Sequence, residues 1–135
     1  MSEYSGVEKR KYKRVKVGVT VIYRKNEVPN VRIRDDKGEN DALMVDISQG
    51  GMAIITEVNV LVGIELWIRF TLSEMEGRSM GFYGNMELLG EVRSNTPLGK
   101  DSYRLGIAFS NVGDKNRVNI VNFVKAVESH LGDKK

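Results

Sequence analysis

Cysteine is absent from this chain, and histidine occurs once, at His130. Those two absences remove disulfide frameworks, thiol nucleophiles, cysteine-built zinc sites and nearly every imidazole-based triad or metal centre. The chain is therefore not expected to be an enzyme. No apolar run approaches the roughly 20 residues of a membrane-spanning helix. The opening Met1-Ser2-Glu3-Tyr4-Ser5 lacks the basic-then-apolar layout of a signal peptide. The expectation is a cytoplasmic protein without membrane insertion. Neither sign of charge dominates, since 21 basic against 18 acidic residues leave only +3.

What the sum hides, the distribution shows. From Lys9 to Lys16, six of eight positions are Lys or Arg (Lys9, Arg10, Lys11, Lys13, Arg14, Lys16), and the remainder of the chain is nearly balanced. A local positive field of that kind attracts phosphate groups. The 135 residues suit one domain, and a 41% hydrophobic content is enough to build an ordinary core.

Hydrophobic periodicity organises the rest. Val15, Val17, Val19, Val21 and Tyr23 alternate with Lys16, Gly18, Thr20, Ile22 and Arg24, which predicts a half-buried strand. Residues 25 to 41 are polar and turn-rich and read as a long loop, with room for a short strand around Val31 to Arg34. Ala42 to Ile47 and Met52 to Thr56 predict two strands separated by Ser48-Gln49-Gly50-Gly51. Alternation of Ile64, Leu66, Ile68, Phe70 and Leu72 predicts a fourth strand. Met80 to Arg93 predicts a long or broken fifth, and Asn95 to Gly99 a loop. Tyr103, Leu105, Ile107 and Phe109 predict a sixth. Ile120, Val124, Val127 and Leu131 recur at helical spacing, so a helix is expected over about 114–131, capped by Asp114 or Asn116 and stopped near Gly132. Six short strands followed by one amphipathic helix usually close into a small barrel or sandwich, with the helix over an open end or face. The expected organisation is a flexible basic arm over 1–14 and a β-domain over 15–135.

Two constellations carry candidate chemistry. Arg10-Lys11-Tyr12-Lys13-Arg14 spaces two arginines four residues apart, on one side of either an extended or a helical segment. A guanidinium fork matches phosphate oxygens, or O6 and N7 of guanine, with paired hydrogen bonds, and its flat face stacks on bases. The second is Asp46-Ile47-Ser48-Gln49-Gly50-Gly51. Regular alternation puts Leu43, Val45 and Ile47 on the core face and Met44, Asp46 and Ser48 together on the outer one. A carboxylate there can accept both N1–H and the N2 amine of guanine and would repel the N1 lone pair of adenine. Ser48 adds a small donor and acceptor, and Gly50 and Gly51 permit close backbone approach. An ordinary strand-to-turn junction uses the same residue types.

In this order and spacing, Arg10-x-x-x-Arg14 followed by Asp46-x-Ser48-x-x-Gly51 resembles the PilZ domain. Tyr12 with Val15-Lys16-Val17, then Gly90-Glu91-Val92-Arg93 and Tyr103-Arg104-Leu105-Gly106-Ile107-Ala108-Phe109, extend the resemblance over residues 8 to 128. It implies a mainly β fold: a six-stranded antiparallel barrel with a C-terminal helix and a flexible N-terminal arm. It also implies cyclic di-GMP as ligand. Arg10 and Arg14 would grip phosphates and guanine edges, Asp46 and Ser48 would hold a guanine against the barrel, and Gly50 and Gly51 would shape the turn. Lys9 occupies the position associated with an intercalated pair of ligand molecules, so one or two per site are implied. A downstream protein partner is expected, and no DNA or RNA. The segment Lys25 to Asp41 departs from the pattern as an extra hairpin or partner-binding loop.

Two other readings stay open on the residues alone: an adaptor of the same fold that binds protein and no nucleotide, and a small nucleic-acid-binding barrel using the basic arm. The scarcity of aromatics in a strand array suited to base stacking argues against the latter. Asp35, Asp36, Glu39 and Asp41 lack the ligand spacing of a calcium loop and read as a polar turn. Trp67 falls on the opposite face of its strand from Leu66 and Ile68 and is expected to pack under the helix or a loop.

Overall fold

The computed structural model describes residues 14–26, 38–76 and 79–133. The basic arm through Lys13, with Lys9 and Arg10, lies outside those residues, as does most of the polar loop. Six strands follow in chain order: β1 (Val15–Lys25), β2 (Asn40–Ile47), β3 (Gly51–Thr56), β4 (Glu65–Glu76), β5 (Ser79–Gly99) and β6 (Ser102–Asn111). One helix, α1 (Asp114–Asp133), ends the described chain. Every strand pairing is antiparallel, and the order β1-β2-β3-β6-β5-β4 closes when β4 pairs with β1. Closure leaves no sheet edge along the paired length, so the backbone polar groups of six short strands are satisfied without covering layers.

The interior is filled by the inward positions the alternation marks out. Val21, Met44, Ile54, Leu66, Ile68, Leu72 and Leu105 are all fully buried. Tyr23 is buried among them, with its hydroxyl 2.6 Å from Thr56 Oγ1. Burial pushes the Tyr23 phenol pKa up, and the hydrogen bond to Thr56 pulls weakly the other way. α1 lays Ile120, Phe123 and Val124, one apolar stripe at helical spacing, onto β5, β4 and β1. Phe123 meets Tyr83 edge to face, with ring centroids 5.5 Å apart.

Three expectations change. In β2 the buried residues are Ala42, Met44 and Ile47, while Leu43 stands 45% exposed. The register against β3 slips between Met44 and Asp46, with Val45 as the extra residue. A bulge shifts the alternation by one position. Asp46 therefore still faces outward, although Met44 on its supposed face points in.

β5 runs to Gly99, well past Arg93, through the stretch expected as a loop. Beyond Val92, whose N donates to Ile64 O at 2.9 Å just ahead of β4, β5 pairs with β6 only. Pro97, lacking an N–H, is tolerated on such a free edge. Asn95 anchors the stretch through its side-chain amide, which donates to Asn59 Oδ1 at 2.9 Å and to Val60 O at 2.8 Å.

Asn116 does not cap α1. Its amide donates to Val112 O at 2.9 Å and Glu87 O at 3.1 Å, tying the helix start to β5. Around Trp67, the described contacts over its ring are made by two arginines of neighbouring strand positions. Trp67 is half-buried on the outer wall, with the Arg24 guanidinium 4.1 Å from its ring centre and that of Arg69 at 5.5 Å.

Candidate functional site

β2 ends and β3 begins within four residues, and the turn is held by its own polar groups. Ser48 N donates to Gly51 O at 2.8 Å, Gly50 N donates to Ser48 Oγ at 3.1 Å, and Ser48 Oγ donates to Gly51 O at 3.4 Å. The turn is also tied to β6, where Phe109 N donates to Gly50 O at 2.9 Å. Ser48 is thus 5% exposed, its hydroxyl folded into the turn instead of projecting beside Asp46. Gly51 has a steric reason to be glycine, because a Cβ there would run into the carbonyl oxygen of Ile107.

Asp46 stands on the outer wall one bulge away. Its side chain retains 13% exposure. Oδ2 accepts a hydrogen bond from Arg104 Nη2 at 3.0 Å. Oδ1 lies 3.6 Å from Arg14 Nη1, outside good hydrogen-bonding distance, and is buried without a hydrogen-bond partner among the described residues. A carboxylate oxygen withdrawn from solvent with an unused lone pair is an acceptor awaiting a donor.

Pairing across the sheet places Asp46 opposite Ala53, Ala53 opposite Gly106, and Gly106 opposite Ser94. One level on, Gly51 sits opposite Ala108. Small residues therefore pave this part of the outer wall. An open cleft of about 1120 Å³ lies along it, from the Ser48–Gly51 turn to the start of α1. Among the described residues, Arg14, Arg93 and Arg117 line it, against a single acid, Asp114. Ser110, also lining the cleft, donates to Glu65 Oε2 at 2.9 Å. That bond and the one from Asn26 hold the Glu65 carboxyl below its ordinary value. A flat, small-residue floor flanked by guanidinium groups suits a planar anionic ligand.

Of the residues singled out from sequence, Arg14, Ser48, Gly50 and Gly51 line this cleft. Asp46 lies beside it, joined through Arg14. Lys9 and Arg10 fall outside the described residues. Sequence reasoning passed over Arg93, Arg104 and Arg117. Arg104 carried a usable signal, since it alternates with the inward Leu105 and Ile107 and so had to face outward. Among the described residues no group of three or more His, Cys, Asp or Glu is placed to hold a metal ion. No described helix is long and apolar enough to cross a membrane.

Comparison with known proteins bears on the family and the fold. The family model described as PilZ domain matches residues 8–126. The fold resembles the Bacillus subtilis inhibitor of motility MotI/DgrA, with a TM-score of 0.66 at 16% identity, over 94% of this chain and 54% of that one. It resembles the PilZ domain of YcgR from Escherichia coli, solved with c-di-GMP, with a TM-score of 0.60 at 15% identity, over 93% and 96%. The MrkH–c-di-GMP complex of K. pneumonia gives 0.63 at 15% identity, over 94% and 55%. The chain thus spans about half the length of MotI/DgrA and MrkH, and nearly all of the YcgR domain. No curated protein matches the sequence.

Proposed function

This chain belongs to the PilZ domain family, and from that premise we propose that it is a receptor module for cyclic di-GMP, acting by binding and not by catalysis. The observation that carries the proposal is Asp46: outward on a wall of small residues, bonded to Arg104 through one oxygen, with the other oxygen lacking a hydrogen bond among the described residues. Guanine offers N1–H and the N2 amine to such a carboxylate, whereas adenine presents a lone pair. Arg14 and Arg10 take the phosphates and guanine edges, and Lys9 bears on whether one or two ligand molecules enter. Ser48, Gly50 and Gly51 keep the turn in shape beneath the ligand. Two cyclic di-GMP-bound relatives share the fold, which supports the choice of ligand.

Binding orders the segment ahead of Val15 over the cleft, at a cost in chain entropy that ligand contacts must exceed. The rearranged surface is what a partner protein reads.

Titration calorimetry with cyclic di-GMP, with cyclic di-AMP and GMP as controls, tests the reading. The expected affinity is micromolar or tighter, on the order of 8 kcal/mol or more. Arg10→Ala and Arg14→Ala should each weaken it by about 1–3 kcal/mol. No heat and no melting shift at saturating ligand would defeat the proposal.

A further inference from the structure

Arg14 has two claims on it. The proposed function, on which this inference rests, needs its guanidinium on the ligand, yet in the free protein that group lies 3.6 Å from Asp46 Oδ1. If Arg14 left a lone carboxylate behind, ligand binding would carry the penalty of stranding a largely buried charge. The structure holds a second cation on the same carboxylate. Arg104 reaches Asp46 Oδ2 at 3.0 Å from β6, across Ala53 of β3. The row between them is open because Ala53 and Gly106 carry little or no side chain.

We propose that Arg104 is the resident counter-ion of Asp46, a positioning residue that allows Arg14 to be handed from Asp46 to the ligand. The contrast between the two contacts supports the division of labour. The Arg104 contact is a true charge-assisted hydrogen bond from β6 to β2 across the intervening β3, and it fixes the carboxylate plane. The Arg14 contact is longer, is made by a residue just ahead of β1, and leaves Oδ1 without a hydrogen bond. The first contact stays and the second is spent. When Arg14 swings to a phosphate, Oδ1 is uncovered for the guanine edge, while Oδ2 remains bonded and keeps the carboxylate aimed. Arg104 acts through Asp46 in this scheme and need not touch the ligand.

The experiment compares Arg104→Gln and Arg104→Lys with the wild type by calorimetry against cyclic di-GMP and cyclic di-AMP, with thermal melting of each free protein. Arg104 is 42% exposed, so both variants are expected to fold. Arg104→Gln should lose roughly ten-fold or more in cyclic di-GMP affinity, the size expected for a hydrogen bond to a charged group. Weak cyclic di-AMP binding should stay unchanged, so the ratio between the two ligands narrows. Arg104→Lys keeps the charge and should recover most of the loss. A purely structural role would lower both affinities together and leave the ratio intact, which would overturn the inference. So would an Arg104→Gln variant with wild-type affinity, or an Arg104→Lys variant as weak as Arg104→Gln. A wild type that binds no cyclic di-GMP defeats the receptor reading and this inference together, whereas the three preceding outcomes defeat the inference alone.

Discussion

Replacing Gly51 with alanine tests whether the strand spacing beneath the cleft is as tight as the geometry requires. The added Cβ would meet the carbonyl oxygen of Ile107, a backbone atom of a strand paired on both sides, and it cannot be relieved by a rotamer change. Relief requires β3 and β6 to part at a point where Phe109 N is also bonded to Gly50 O at 2.9 Å. Overpacking of a rigid site costs about 1–3 kcal/mol, and a backbone obstacle belongs at the upper end. At about 2.1 cal/mol/K of unfolding entropy per residue, 3 kcal/mol corresponds to a fall of roughly 10 °C in Tm for a chain of this size. The control is Gly18→Ala in β1, where an added Cβ meets nothing within 4 Å. Its effect should be neutral, or stabilising by about 0.4–1 kcal/mol through the unfolded chain. Thermal and urea unfolding of both variants against wild type decide the matter. A Gly51→Ala protein that melts with the wild type, or a Gly18→Ala protein that falls equally far, would refute the reasoning.

Tyr23→Phe removes a buried hydroxyl while leaving Thr56 Oγ1 its bond from Val58 N at 3.3 Å, so a loss of about 1 kcal/mol in urea unfolding is expected. The same residue gives an alkaline signature. Its folded pKa is raised above the ordinary 10.0, so the stability it contributes is complete below that value and is lost as pH rises through the folded pKa. Urea midpoints from about pH 8 to about pH 11 should fall less steeply for Tyr23→Phe than for wild type. Arg24→Ala uncovers the sole tryptophan and should shift Trp67 emission to the red, with a stability loss of roughly 0.5–1 kcal/mol. Emission unchanged from wild type would show that Arg24 does not shield the ring.

The strands and helix were legible because each has one clean period. Val21 and Tyr23, or Ile120, Phe123 and Val124, announce their faces without help from the rest of the molecule. What could not be read was where the period breaks. Leu43-Met44-Val45-Asp46-Ile47 contains four apolar residues in five, so alternation offers two equally good phases, and only pairing with β3 shows that Val45 is the extra residue. The continuation of β5 past Arg93 was hidden for a similar reason. Asn95, Thr96 and Pro97 are turn formers by composition, and they become strand only because β6 lies beside them and Asn59 and Val60 receive the Asn95 amide. The arginines divide in the same way. Arg14 stood in a motif with recognisable spacing, whereas Arg104, Arg93 and Arg117 reach the site from segments distant in sequence.

Three of the six register shifts among the described strand pairings gather at one level of the barrel. The row that runs from Lys16 through Asp46, Ala53 and Gly106 to Ser94 is bordered by a register shift after Lys16, another before Asp46 and a third before Ser94. Bulges bend a strand, increase its twist and re-aim the side chains beside them. The neighbouring inward row of Val15, Ile47, Met52, Ile107 and Val92 is regular and almost wholly buried. The departures from regularity thus leave the core intact and act on the outer wall. There they turn Asp46 outward within a run of otherwise apolar residues and bring Arg93 to the edge of the cleft. At this level Gly51 and Gly106 stand where a Cβ would meet Ile107 O or Ser94 Oγ. Close packing of β3 on β6 thus requires glycine at position 51, on the turn that borders the cleft, which is why a substitution at Gly51 should disturb both the fold and the cleft.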